Sequence, residues 1–294
     1  MPELPEVEIL CRRLDERCSG RTVSRLDLAS ISALKTFDPP LASLAGSIVG
    51  GCSRRGKYVC LRLESGHEGE GAEAFVVIHL ARGGWMKWRP TLPPASVRPG
   101  RGPLALRVGF EGGEGFDVTE MGHEKRLAIW AVPSPTDIEA VATLGPEPLD
   151  AGFTVDRLAA IVASESGNLK HVLSRQSIIA GVGNAYSDEA LHAARLSPFK
   201  PSRNLTTAEV ERLYSALIMV LEEAIARSQD LDLGELKDGK RQGMRVHGRT
   251  GLACPACGDT VREVSFATRS LQYCPTCQTG GKPLADRRLS RLLK

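Results

Sequence analysis

Nowhere in this chain of 294 residues does an apolar run approach the roughly 18–20 residues that a membrane span needs. The acidic N-terminus also lacks the basic and then apolar layout of a secretory signal, so a cytoplasmic or nucleoid location is expected. Histidine is scarce, six in all, and neither His171 nor His192 has a partner at ligand spacing, so both read as structural side chains. No Ser-His-Asp grouping and no carboxylate metal motif stands out, which removes two common kinds of hydrolytic site. Net charge is only +3, but it is divided unevenly. Positions 237–294 carry twelve Lys/Arg against four Asp/Glu, a net +8 that leaves the first 236 residues at −5. A basic module on a more acidic body suits a polyanion partner, although a merely solvated tail has the same composition.

What is present describes an ordinary globular protein, 42% hydrophobic and 25% charged, long enough for two domains of about 150 residues each. The periodicity predicts a helix from Val7 to Cys18, closed by Gly20. Eight short β-type runs follow, at 22–28, 47–53, 58–63, 75–80, 85–88, 104–110, 116–119 and 127–132, separated by Gly, Pro and charged turns. Proline-rich 133–150 reads as a linker. Helical periodicity then covers 154–163, 169–176 and 206–227. The fold class is α+β: an N-terminal helix with many short strands that suit a β-sandwich or a barrel, then a helical domain and a C-terminal metal-binding hairpin, with the β-sandwich taken as the expectation. The expected boundaries are 1–133, linker 134–150, 151–234 and 235–294.

The eight cysteines fall into two groups. Cys11, Cys18, Cys52 and Cys60 are scattered and read as reduced thiols. Cys254, Cys257, Cys274 and Cys277 form two Cys-x-x-Cys pairs sixteen residues apart, with a β-hairpin pattern between them. Four thiolates so spaced can surround one Zn²⁺, which would be structural because no position is left for water. His247 is nearby but unnecessary as a ligand.

The first eight residues carry the chemistry. With Met1 removed, Pro2 presents a secondary amine whose reference pKa, about 7.7–8.0, leaves part of it nucleophilic near neutrality. Its attack on a sugar aldehyde carbon forms a cationic iminium, which makes β-elimination easy. Glu3 is placed to protonate the ring oxygen and Glu6 to shuttle protons behind it. The plainer reading is an extended arm whose two prolines forbid early helix. Further on, Arg54-Arg55-Gly56-Lys57-Tyr58 sits between two strand patterns, so a hairpin there exposes Lys57 unless it is only a basic turn. Gln176-Ser177-Ile178-Ile179-Ala180-Gly181-Val182-Gly183-Asn184 reads as two small helices joined by a Gly-x-Gly turn, with Asn184 opening the second. Backbone N–H groups at such a helix start suit a DNA phosphate.

Pro2-Glu3-Leu4-Pro5-Glu6-Val7-Glu8, the Lys57 hairpin, the helix–two-turn–helix stretch and the cysteine pairs occur together in one order. In this the chain resembles the formamidopyrimidine-DNA glycosylase/endonuclease VIII family. The resemblance implies a bifunctional DNA glycosylase/AP lyase acting as a monomer on double-stranded damaged DNA, with one structural zinc. It makes Pro2 the nucleophile, Glu3 and Glu6 its acid–base partners and Lys57 a lesion and phosphate contact. It assigns Lys170, Asn184 and Arg269 to phosphates. Two other classes stay open: a non-catalytic DNA-damage or DNA-structure binder, and a zinc-ribbon transcription or assembly factor.

The chain also departs from the family. Where relatives that excise 8-oxoguanine carry a void-filling methionine, His79-Leu80-Ala81-Arg82-Gly83-Gly84 places Arg82. Where they carry an arginine and a phenylalanine, residues 119–127 offer Arg126 or Lys125, and Leu127. Positions 231–246 lack the usual pattern of an 8-oxoguanine-capping loop. The expectation is that 8-oxoguanine is not the preferred lesion.

Overall fold

The computed structural model describes residues 1–65, 73–122, 124–266 and 270–285. The Gly/Glu turn expected at 67–71, Arg269, and the tail arginines Arg287, Arg288 and Arg291 lie outside the described residues. Packing divides the chain into two units, Met1–Thr143 with Ser228–Lys237, and Leu144–Arg227 with Asp238–Lys294.

The first unit begins with α1 (Leu4–Cys18), which buries Leu4, Val7, Leu10, Cys11, Leu14 and Cys18 as one stripe. It starts three residues earlier than the apolar periodicity indicates. Pro5 is tolerated in the first turn, where its missing N–H has no helical partner to lose. Glu3 is the N-cap, and its N–H donates to Glu6 Oε2 at 2.8 Å in a reciprocal capping box.

All eight sequence-predicted strands form: β1 (Val23–Leu28), β2 (Ile48–Arg55), β3 (Tyr58–Glu64), β4 (Glu73–His79), β5 (Gly84–Arg89), β6 (Leu104–Phe110), β7 (Gly115–Glu120) and β8 (Ala128–Val132). They make two antiparallel four-stranded sheets, ordered β1-β6-β7-β5 and β2-β3-β4-β8. Val59, Leu61, Leu63, Val76, Ile78, Val108, Phe116 and Val118 supply buried side chains to this sandwich. Cys11, Cys18 and Cys60 are buried, Cys52 is half-buried, and none is in a disulfide. Burial pushes the Cys18 and Cys60 thiols up to about 12, so both stay protonated and unreactive.

The stretch read as linker is partly ordered into a short turn at Pro135–Asp137, capped by Ser134, and a one-turn helix α2 (Glu139–Ala142). A second stretch returns to the first unit late in the chain. Arg13 donates to Gln229 O, Arg17 pairs with Asp232 at 2.8 Å, and Trp85 Nε1 donates to Leu233 O at 2.7 Å. Leu233 and Leu236 are fully buried.

The second unit contains α3 (Val155–Ser164), α4 (Leu169–Ser174), α5 (Asn184–Ala193) and the long α6 (Thr207–Ser228). Thr154 caps α3 by accepting from Arg157 N, and Asn168 caps α4 by accepting from His171 N. A further helix, α7 (Leu236–Gln242), precedes the metal module of β9 (Arg262–Ser265), β10 (Ser270–Tyr273) and α8 (Pro275–Thr279).

Candidate functional site

Within the first unit, three stitches fix α1 to β2. Asp15 Oδ1 accepts the Cys52 N–H at 2.8 Å, Cys11 Sγ donates to Ser53 O at 3.2 Å, and Arg54 Nε donates to Glu8 Oε2 at 3.0 Å. Falling numbers in α1 meet rising numbers in β2, so the start of α1 lies toward the tip of the β2–β3 hairpin. That tip is the two-residue turn Gly56-Lys57 between the paired Arg55 and Tyr58. Gly56 has φ +54°, the backbone that a primed hairpin turn requires and that glycine adopts without strain. Pro2, Glu3, Glu6 and Lys57 thus gather at one end of the sandwich. All four are buried, with Glu3, Glu6 and Lys57 only 2%, 1% and 5% exposed.

Strand register brings further groups to the same end. Tyr58 pairs with His79, and His79 with Ala128, so the Arg82 turn and the end of the 121–127 loop adjoin Lys57's hairpin. Glu120 closes that loop: its Oε1 accepts from Arg126 N at 2.7 Å and Leu127 N at 3.0 Å, while its carbonyl takes the Lys125 ammonium. Arg126 projects to solvent beside Glu124. Leu127, in contrast, is a core side chain, because it leads directly into the buried strand β8. The apolar group that this loop presents at the surface is Met121, 65% exposed, whose N–H is held by Gly83 O at 3.0 Å.

His79 packs its ring on Tyr58, with centroids 4.8 Å apart. Burial, with the charge of Lys57 adding to it, pushes the imidazole down to about 4. The folded chain therefore resists a proton that the unfolded chain accepts near 6.5. His79's contribution to stability is complete above about pH 6.5 and falls away toward pH 4, by a total of about 3 kcal/mol. Denaturant unfolding at pH 7.5 and 4.5 should show His79→Asn losing less stability on acidification than the wild type. Parallel losses in the two proteins would exclude His79 as the titrating group.

In the second unit, the turn before α5 is closed by Gln176, whose amide accepts from Gly181 N at 3.0 Å and donates to Val182 O at 2.6 Å. Gly181 has φ +77°, which needs glycine. Asn184 is the first residue of α5, and its side-chain amide donates to Ser270 O at 2.7 Å. Lys170 sits under the turn, its ammonium donating to Asn184 O at 2.6 Å, Ser187 Oγ at 2.9 Å and Asp188 Oδ1 at 2.5 Å.

Two buried acids of α5 were not singled out from the sequence. Asp188 Oδ2 accepts from His247 Nδ1 at 2.8 Å and from Gln272 N at 3.2 Å. Glu189 accepts the backbone N–H groups of Arg245, Val246 and His247 at 2.7–2.9 Å. Burial raises the Glu189 carboxyl, against the pull of those three donors and with Asp188 adding to the rise. Their signal was the spacing of polar residues on α5; their partners lie 56 to 84 positions away and left none.

The four cysteine sulfurs of the metal module all lie within 4.8 Å of one another. Cys254 and Cys277 are 3.9 Å apart, and Cys257 and Cys274 are 3.4 Å apart. A tetrahedron of thiolates at a Zn–S length of about 2.3 Å needs about 3.8 Å between sulfurs. The four cysteines fit one structural zinc. His247 is engaged by Asp188 and stands outside this set.

This arrangement, a sandwich carrying a buried proline–glutamate start, a helix–turn–helix pair and a four-cysteine hairpin, belongs to a class of DNA-repair glycosylases that carry a zinc finger. Residues 1–119 match the formamidopyrimidine-DNA glycosylase N-terminal domain, residues 144–232 its H2TH domain, and residues 251–280 the zinc finger found in FPG and IleRS. The chain belongs to the formamidopyrimidine-DNA glycosylase family. It is 34% identical to the formamidopyrimidine-DNA glycosylase of Symbiobacterium thermophilum, over 95% of this chain and 89% of that one. An uncharacterized formamidopyrimidine-DNA glycosylase-like protein of Mycobacterium tuberculosis is 56% identical over 151 residues, 51% of this chain and 94% of its own. Among solved structures, MutM (Fpg) from Thermus thermophilus is similar at a TM-score of 0.76, with 33% identity over 96% of this chain and 100% of that one. The Lactococcus lactis Fpg in complex with abasic-site DNA gives a TM-score of 0.80, with 25% identity over 94% and 99%.

Proposed function

We propose that the chain removes damaged bases and cleaves the DNA strand through a Schiff base on Pro2. The observation that carries this reading is the gathering of Pro2, Glu3, Glu6 and Lys57 at one end of the sandwich. The Pro2 nitrogen attacks C1′ of a nucleotide turned out of the duplex, and the base leaves with the bonding electron pair. Glu3 protonates the sugar ring oxygen as the ring opens, and loss of the amine proton completes the iminium. Removal of a C2′ proton then expels the 3′ phosphate, and a second elimination expels the 5′ phosphate. Glu6 relays protons, and Lys57 contacts the lesion and its phosphates. Asn184 and Arg269 hold the flanking backbone, Lys170 supports them from beneath by fixing the start of α5, and the protein acts as a monomer in the cytoplasm or nucleoid.

Borohydride trapping tests the reading. Reduction of the iminium joins protein to abasic-site DNA irreversibly, so a covalent adduct is expected. A DNA-damage binder on the same fold gives none.

The lesion preference follows from the departures at the void-filling positions. Arg82 occupies one turn there and Met121 is the apolar side chain that its neighbour presents, with no aromatic wedge among the described residues of the two turns. The stretch from Leu231 is committed to packing through Leu233, Leu236 and the Trp85 hydrogen bond, which disfavours a free capping loop. Loss of aromatic stacking is worth about 1–3 kcal/mol. Single-turnover excision of 8-oxoguanine opposite cytosine should therefore run about tenfold or more slower than cleavage at an abasic site. Equal rates would remove the preference.

A further inference from the structure

Helix α5 turns three polar side chains, Asn184, Asp188 and His192, along one stripe at four-residue spacing. Each meets the metal module: Asn184 through Ser270 O, Asp188 through Gln272 N and His247, and His192 through Cys254. The His192 contact is of a different kind. Its Nε2 lies 3.2 Å from Cys254 Sγ, with the ring 4% and the cysteine 2% exposed. Its Nδ1 is buried and has no partner among the described residues.

That asymmetry fixes where the ring proton sits. A thiolate offers only lone pairs. A proton on Nδ1 would leave a buried N–H without an acceptor and set the Nε2 lone pair against sulfur electrons. A proton on Nε2 satisfies the sulfur and leaves only a bare acceptor, the cheaper omission. Four thiolates around a divalent cation also carry a net −2 charge in a site where Cys254 and Cys274 are buried, so donors to sulfur are needed.

We propose that His192 is a positioning residue of the zinc site, donating Nε2–H to the Cys254 thiolate from the helix that Asn184 opens. The bond draws charge from the sulfur and restrains the Cys254 side chain against departure from the site. Outer partners of this kind commonly change metal affinity by about 10–100-fold. The proposal rests on the four-cysteine zinc site and is independent of the glycosylase chemistry.

Zinc release from the full chain to excess chromogenic chelator tests it, in wild type, His192→Phe and His192→Gln. Phe removes the donor, whereas the Gln amide can place an N–H near the Nε2 position. Release should be about tenfold or more faster in His192→Phe and close to wild type in His192→Gln. Equal acceleration in both variants would reduce His192 to a packing residue and overturn the proposal, as would wild-type rates in both. ¹⁵N spectra of the zinc-loaded wild type decide it even if a variant fails to fold. A protonated Nε2 with a bare Nδ1 is expected for His192, and the opposite tautomer would overturn it.

Discussion

Any residue left in front of Pro2 should abolish both strand cleavage and borohydride cross-linking at an abasic site, while DNA affinity stays within about twofold. An amide nitrogen has no available lone pair, so only a terminal Pro2 can attack C1′. The position of that nitrogen is set by its neighbours: the Glu3–Glu6 capping box fixes the first turn, and the Glu8–Arg54 pair fixes α1 against the Lys57 hairpin. Met1 precedes Pro2 here and is 44% exposed. The loss should exceed about 10³-fold in single-turnover rate, equivalent to about 4 kcal/mol of barrier. The measurement needs mass spectrometry of the intact N-terminus beside each assay. Cleavage by a protein shown to retain its leader would remove Pro2 as nucleophile.

Cys274→Ser should lose the zinc and, with it, the ordered hairpin. Zinc-finger sites supply about 10–16 kcal/mol of apparent binding free energy that is also folding free energy. The metal is the one covalent-strength tie in a module of short elements. β9 and β10 are four residues each, too short for independent stability; Val246 and Val261 pack beside the cysteines, and Val264, Leu271 and Tyr273 form a small second cluster with Phe199 and Leu284. Once the hairpin melts, Asn184 loses Ser270 and Asp188 loses Gln272, so the damage reaches the helix proposed to grip phosphate. Metal analysis should fall from one zinc per chain to none. Hydrogen exchange should lose protection in β9 and β10 but keep it in the sandwich, and DNA affinity should drop about tenfold or more. Protected hairpin amides in a zinc-free variant would overturn this account.

Much of this was legible in the sequence because it is local. Each of the eight strands announces itself by alternation between turn residues, and observed ends differ from the expected ones by only a residue or two. The cysteine spacing likewise carries its own geometry. Non-local relations were not legible. Pro5 delayed the expected start of α1 because the apolar period begins at Val7, whereas the Glu3–Glu6 cap admits proline in the first turn. Helix α7 has charges around most of its surface and is anchored by Leu236, so it carries no strong stripe to find. Leu127 was offered as a void filler from its correspondence with the family's loop, yet its side chain is buried where the chain enters β8, a placement that only the fold reveals. His192 looked solitary because its partner lies 62 positions further on.

The return of Ser228–Lys237 to the first unit has a consequence for how such a protein can be recombined. Neither unit is a contiguous cassette. A single crossover near position 143 would transfer the sandwich without the ten residues that bury Leu233 and Leu236 and accept from Trp85. A chimera joined there would inherit a foreign sequence on that surface, and an N-terminal fragment ending there would need the missing segment supplied as a separate peptide. Inheritance of the sandwich therefore requires two breakpoints, one on each side of the helical domain.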